Sequence, residues 1–532
     1  MTQTAHPAMA HDPLATSTAL PSWLPGCQDR PPHAKIVATL GPASDSPDII
    51  ARLIAAGVSV FRLNFSHGDL AQQARRLENV RSAVALAHRP VAVLGDLQGP
   101  KIRVESVPDL HDGGGLIVQP GQDVEFRADC DEAYLDGDTA VFGTTFDRIF
   151  FDVEPGQRVL INDGMIRMLA VDRLDGVSLR CRVTVGGRVT SRKGINLPES
   201  DLKTPGLTER DWDCVDWACA NDLDYLALSF VRHASEIIEL KGRVAELCKD
   251  RPVHPGVNPA IPVIAKIEKP EALHNLDEII RAADGVMVAR GDLGVEMDAA
   301  QVPVAQKYIV SRCNEMGKPS IVATQMLESM ITSATPTRAE ASDVANAVFD
   351  GADAVMLSGE TAVGSHPELV VETMQRIVRV AEARFDQLPH SPTPGRLEEL
   401  PYRSSALALG AWHIAEKASV KAVCCWSQRG GMAGYLSATD FRIPIVACTS
   451  SELAARRMAL LGGVIPILTD PPTSGMLGEW TEQMEALVQE RGLARDGDSV
   501  LLIAGKPLGS VTAQDAIALL RVGDPNSGFR PV

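Results

Sequence analysis

No uninterrupted apolar run in this chain of 532 residues reaches the ~18–20 that a membrane span requires, so no membrane association is expected. The opening stretch, MTQTAHPAMAHDPLATSTALPSWLPGCQDRPPH, has neither a basic start nor an apolar segment and does not read as a secretory signal. Residues 1–33 are expected instead to form a poorly ordered extension. The ten cysteines include no CxxC pair and the twelve histidines no HExxH spacing, which leaves zinc and a disulfide framework without support. Buried reduced thiols in a cytoplasmic protein are the expectation. The adjacent Cys424 and Cys425 of KAVCCWS should face opposite sides of a strand. A net charge of −17 argues against nucleic acid as a partner, although a local basic pocket could still take a small anion.

What the chain does have is a recurring apolar run. KIVATLG (35–41), VSVFRLNFSHG (58–68), VAVLGDLQGP (91–100), YLALSFVR (225–232), PVIAKIE (262–268), GVMVARGD (285–292), PSIVATQM (319–326) and AVMLSGET (354–361) have the character of parallel strands covered by helices. Their ends lie 24 to 37 residues apart, with one interval of 133. That is the period of a strand–helix unit, and eight of them predict a closed (β/α)8 TIM barrel. Thr337 and Glu340 form a capping box before a helix that runs to Gly351, and residues 367–385 carry the period of an amphipathic helix.

The long interval predicts an insertion. Residues 105–190 are rich in Gly turns and alternating runs such as QRVLIND and SLRCRVTV, the pattern of a small antiparallel β-barrel lid at the strand-end face. The catalytic barrel is thus expected over 34–104 and 191–386. A Pro-rich linker, QLPHSPTPGRLEELP (387–401), leads to a C-terminal α/β domain over 402–532.

The barrel strand ends concentrate charge. Arg62, Asn64, Ser66, Asp96, Lys101, Arg103, Lys266, Glu268, Asp292 and Thr324 converge on one face from several strands or the loops after them. Singly, each reads equally well as a surface or core residue. Two carboxylates flanked by cations suit Mg²⁺. Lys266 and Glu268 share side-chain parity, and Gly291 lets the backbone approach an anion. Without a secretion signal, Arg290-Gly291-Asp292 is not read as an adhesion tripeptide. Together these residues imply metal-assisted chemistry on a small phosphorylated anion.

The segments AKIVATLGPAS, FRLNFSHG, DLQGPKIR, KGINLP, IAKIE, VMVARGDLGVE, ATQMLESM and PTRAEASDVANAVFDGADAVMLSGETA resemble, in order, the signatures of the pyruvate kinases. The resemblance runs from about residue 34 to the C-terminus. It implies a phosphotransferase that takes phosphoenolpyruvate and ADP to pyruvate and ATP in the last step of glycolysis. It assigns Mg²⁺ or Mn²⁺ to Glu268 and Asp292. The phosphoryl group falls to Lys266 and Arg62, and the substrate carboxylate to the amides of Gly291 and Asp292 with Thr324. Asn64, His67, Arg103 and Lys193 match the nucleotide side. A homotetramer and a phosphorylated effector on the C-terminal domain are implied as well.

One departure concerns potassium. Asn64, Ser66 and Asp96 of the monovalent-cation site remain, but the threonine position is Leu97 and the acidic position is Lys101. The resemblance makes this a bacterial-type enzyme with lysine at the potassium-independence position. Two cations ~4 Å apart repel by ~4 kcal/mol at an effective dielectric of ~20, so Lys101 should itself oppose K⁺. The loop WSQRGGMAG (426–434) has only Ser427 as a hydroxyl, which argues for an effector mode other than that of fructose 1,6-bisphosphate. Two other readings of the residues stay open here: a Schiff-base aldolase built on Lys266 and a catalytically silent protein on the same fold.

Overall fold

A computed structural model describes residues 31–87, 89–109, 114–174, 178–200, 205–385, 403–439, 441–506, 508 and 514–530. The expected N-terminal extension up to residue 30 and the Pro-rich linker lie outside these.

Eight parallel strands close into the expected barrel. They are Lys35–Thr39, Val58–Asn64, Ala92–Asp96, Tyr225–Leu228, Val263–Ile267, Gly285–Ala289, Ser320–Ala323 and Ala354–Leu357. Each is buried along almost its whole length, inside against the other strands and outside against helices, which is why continuous apolar runs encode it. Capping fixes where several helices begin. Ser46 accepts the amide of Ile49 ahead of Pro47–Ala56, and the Thr337–Glu340 box opens Arg338–Phe349 as expected. Parallel register sets Asn64 beside Asp96 and Arg62 beside Thr39, so charged residues are delivered to one rim.

The insertion has its own core, separate from that of the barrel. Its seven-stranded sheet departs from the expected purely antiparallel arrangement in one place. Asp123–Arg127 and Thr139–Phe142 run parallel, because the short Tyr134–Asp136 strand takes the antiparallel hairpin partnership at the edge. The inserted core also takes in residues on either side of 105–190. Ile195–Asn196 pairs with Leu160 and Ile161, and Ile102, Val104, Ile195 and Leu197 pack into the inserted core. The C-terminal sheet has four parallel strands and one further strand, Gln514–Arg521, which pairs antiparallel with Ser499–Lys506 at the edge. Cys424 and Cys425 do face opposite sides, each in a different core cluster.

The C-terminal unit is seated under the barrel, at the strand starts. Arg456 Nε lies 2.8 Å from Asp224 Oδ1, whose other oxygen accepts the Val93 amide at 2.8 Å. Arg457 donates to the carbonyls of Asn258 and Ala260, and Tyr225 donates to the Arg457 carbonyl. On the opposite side of the seam, Glu382 accepts the amides of His33 and Ala34, Lys35 donates to the Val464 carbonyl, and Asp353 accepts the amides of Ser320 and Gly462. Burial dominates the titration of this group. It pushes His33 down to about 4, Lys35 down to about 8, Asp353 up to about 6 and Glu382 up to about 7.

Candidate active site

The opposite rim gathers the charges that the strand ends carry. Asp96, ending the third strand, is buried and binds a cation with each oxygen: Arg62 Nε at 2.6 Å and Lys266 Nζ at 3.1 Å. Burial alone would raise its carboxyl, but Lys266 and Arg62 outweigh that and hold it low. Arg62 also donates to Thr39 Oγ1 at 3.0 Å. Lys266 reaches Glu268 Oε1 at 2.9 Å, which shows the two side chains on one face, and donates to Ser229 Oγ at 2.7 Å. Burial by itself would push the Lys266 ammonium down; Asp96 and then Glu268 reverse this and raise it. A Schiff-base lysine needs a neutral amine, so this environment opposes the aldolase reading.

Glu268 is pushed up by burial and by the nearby negative charge of Asp292, with Lys266 opposing. Its Oε2 accepts the Phe230 amide at 2.6 Å. Two carboxylates at neighbouring strand ends form a donor set that a divalent cation fits, since such an ion takes one or two protein carboxylates and fills its shell from ligand oxygens. Asp292 lies in the first turn of a short helix, Arg290–Glu296, that starts directly after the sixth strand. Arg290 turns away from this site. It pairs with Asp343 at 2.6 Å and donates to the carbonyls of Ala323 and Thr324.

Thr324 has φ +69° and Gln325 φ +55°, in the left-handed region that a β-branched residue rarely adopts. Such backbone costs ~1–3 kcal/mol and collects at ligand sites. Here it aims Thr324 Oγ1 at the Gly291 amide, which donates to it at 2.7 Å. The amide expected to hold a substrate carboxylate is therefore engaged by the hydroxyl expected to hold the same group.

Lys101 Nζ stands between two carboxylates, 3.8 Å from Asp292 and 4.0 Å from Asp163 at the tip of an inserted-sheet turn. Gly194 passes closely beneath it: a Cβ there would lie 2.9 Å from Lys101 Cε. Asn64 spends its side-chain oxygen on the Ser66 amide. Leu97 is buried, and its carbonyl accepts the Ser229 hydroxyl at 2.6 Å. His67 is exposed. Its imidazole is pushed down, first by partial burial and then by Arg62, Arg103 and Lys101, which marks the mouth as cationic. Arg103 donates to the Arg192 carbonyl at the join of the insertion, next to Lys193. The supports Thr39, Ser229 and the Phe230 amide were missed in the sequence. Thr39 and Ser229 do fall at strand ends, whereas the left-handed Phe230 (φ +54°) has no sequence signal.

A barrel with buried cations, a carboxylate pair and a cationic mouth under an inserted sheet defines a metal-using enzyme for a small phosphorylated anion. The chain matches two family models, "Pyruvate kinase, barrel domain" over residues 32–371 and "Pyruvate kinase, alpha/beta domain" over residues 405–520. It is 40% identical over 500 residues to the pyruvate kinase of Mycobacterium intracellulare, covering 92% of this chain and 99% of that one. With the pyruvate kinase of Methylorubrum extorquens it shares 40% over 488 residues, covering 92% and 97%. A solved pyruvate kinase from Cryptosporidium parvum superposes with a TM-score of 0.80 at 32% identity, covering 92% and 96%. The chain belongs to the pyruvate kinase family, and its reaction converts phosphoenolpyruvate and ADP to pyruvate and ATP.

Proposed function

We propose that the strand-end residues divide this reaction as follows. Lys266 and Arg62 receive the phosphoryl group and stabilise charge on its oxygens as it passes to ADP. Glu268 and Asp292 would hold the divalent cation, Mg²⁺ or Mn²⁺, which when bound neutralises phosphate charge. Gly291, Asp292 and Thr324 orient the substrate carboxylate, with the Gly291–Thr324 hydrogen bond exchanged for bonds to it. Asn64, His67, Arg103 and Lys193 take the nucleotide phosphates. The enolate left behind accepts a proton to become pyruvate, and the inserted sheet excludes water as a competing acceptor. The observation that carries this reading is the Lys266 ammonium, kept charged in a buried site by Asp96 and Glu268. Activity of Lys266→Met in a coupled assay for pyruvate tests it.

The same reading makes the enzyme independent of K⁺. Lys101 brings a fixed cation beside Asp292, Leu97 turns its side chain into the core, and Asp96 gives both oxygens to Arg62 and Lys266. Asn64, Ser66 and Asp96 are then the remnant of a monovalent site. In the C-terminal unit, Ser427 is buried and its hydroxyl accepts the Ala433 amide, which favours a phosphorylated effector other than fructose 1,6-bisphosphate. A homotetramer in the cytoplasm completes the proposal. No described helix is long and apolar enough to cross a membrane.

A further inference from the structure

Three buried polar side chains sit just outward of the carboxylate pair, and the chemistry above does not use them. Glu296 follows Asp292 by one turn on the same face of its helix. Its Oε1 accepts Asn196 Nδ2 at 2.8 Å and its Oε2 accepts Lys269 Nζ at 3.3 Å. Each comes from a different element. Asn196 lies on the strand by which the chain returns from the inserted sheet, Lys269 directly follows Glu268, and Glu296 ends the helix that carries Gly291 and Asp292. Their exposures are 6%, 9% and 3%. Asn196 Oδ1 is buried with no hydrogen-bond partner, so the amide is committed to Glu296 without the second bond that would balance its burial. A cavity of about 30 Å³, lined in part by Lys101, Asn196, Lys269 and Glu296, gives the group slack for a small rotation on its Lys101 side.

We infer that Asn196, Glu296 and Lys269 form the joint through which movement of the inserted sheet sets the position of Asp292. They are positioning residues: none needs to touch a ligand. When the sheet swings, Asn196 moves with its strand and pulls on the Glu296 carboxylate, which turns the short helix and with it the carboxylate one turn earlier. Lys269 pins the other oxygen to the strand that carries Glu268, so the two site carboxylates are kept in step. A buried carboxylate suits this task because its two oxygens tie two elements through one rigid group, and burial keeps water from substituting for either bond. The inference rests on Asp292 being a metal carboxylate.

The test uses full-length protein. Asn196→Ala is expected to lower kcat roughly ten- to a hundredfold and to raise KM for phosphoenolpyruvate, whose carboxylate Gly291 and Asp292 orient. Its melting temperature should stay close to that of the unmutated protein. Amide hydrogen exchange over residues 192–198, measured without metal or substrate, should become faster. The double change Asn196→Asp with Glu296→Gln rebuilds the hydrogen bond with its roles reversed and should recover most of the kcat lost in Glu296→Gln alone. A lowered melting temperature with unchanged kcat and both KM values would reduce the group to ordinary core polarity and overturn the inference. Unchanged exchange over 192–198 would do so as well. If Asn196→Ala does not fold, the double variant decides alone: kcat no better than that of Glu296→Gln rejects the joint. Full activity in Asp292→Asn would instead reject the metal reading, which the exchange measurement does not depend on.

Discussion

The barrel is gripped at both ends, and the two grips are built differently. At the strand starts, the C-terminal unit is held by buried or partly buried groups at hydrogen-bonding distance: Arg456 on Asp224, Arg457 on two carbonyls, Lys35 on the Val464 carbonyl and Asp353 on the Gly462 amide. At the strand ends, the turn at the tip of the inserted sheet reaches the site through an Asp163 that is 70% exposed and 4.0 Å from Lys101, while the return strand makes one buried bond, Asn196 to Glu296. A pair of that length and exposure is worth ~0–1 kcal/mol, whereas breaking a buried pair costs ~3–5 kcal/mol. The difference separates duties. One end is fastened by several short, buried bonds. The other end meets the chemistry through a single long, exposed pair and one buried hydrogen bond.

The largest expected effect would break the assignment of chemistry to the strand-end rim. Lys266→Met should fold and lose kcat by roughly three orders of magnitude, because a charge aimed at the transferring group is removed. Near-normal turnover in the coupled assay would move the chemistry elsewhere. At the fastened end, Arg456→Ala leaves the Asp224 carboxylate, 2% exposed, without its cation. We expect a loss of about 3 kcal/mol in denaturant unfolding with KM for both substrates unchanged. A variant as stable as its parent would show that the seam is no tighter than the lid.

Potassium sharpens the comparison at the loose end. Activity with Mg²⁺ should need no monovalent cation, and Lys101→Glu should become roughly tenfold dependent on K⁺, since the repulsion that excludes a second cation is gone. Strong stimulation of the unmutated enzyme by K⁺, in buffer otherwise free of K⁺ and Na⁺, would show that Lys101 is no substitute for the ion.

The smallest effect concerns pH at the fastened end. Asp353 and Glu382 have folded values of about 6 and about 7, above their ordinary ones, so their contribution is full at low pH and is lost as pH rises through those values. His33 has a folded value of about 4, below its ordinary 6.5, so its contribution is present above 6.5 and is lost as pH falls through 4. The two trends oppose one another. In His33→Asn only the first remains, and the gain in melting temperature from about pH 7.5 to about pH 5 should exceed that of the unmutated protein. Equal gains would mean that His33 does not titrate against the seam.

Much of this architecture was legible because buried parallel strands must be apolar on both faces. Gly285–Ala289 is such a run, and it ends where the chemistry begins. The site was legible through resemblance and through parity, which put Lys266 and Glu268 on one face before any coordinates. Other features had no local signature. The Gln514–Arg521 strand is an edge defined by its partner, and the parallel pairing inside the inserted sheet comes from Val141 being shared between Glu125 on one side and Tyr134 on the other. Asn196 and Glu296 are 100 residues apart, and Thr324 looks like an ordinary strand-end threonine until its backbone is seen to be left-handed.

Asp224 holds Arg456 with one oxygen and the Val93 amide with the other, and Val93 begins the stretch that ends in Asp96. Three residues of parallel strand span ~10 Å, and these have no slack because every one of them is buried between neighbours. The segment therefore joins the seam to the site with no loop between them. A displacement of the C-terminal unit against the barrel floor, too small to open any seam, would arrive at the far end as a shift of the carboxylate on which both Arg62 and Lys266 are balanced.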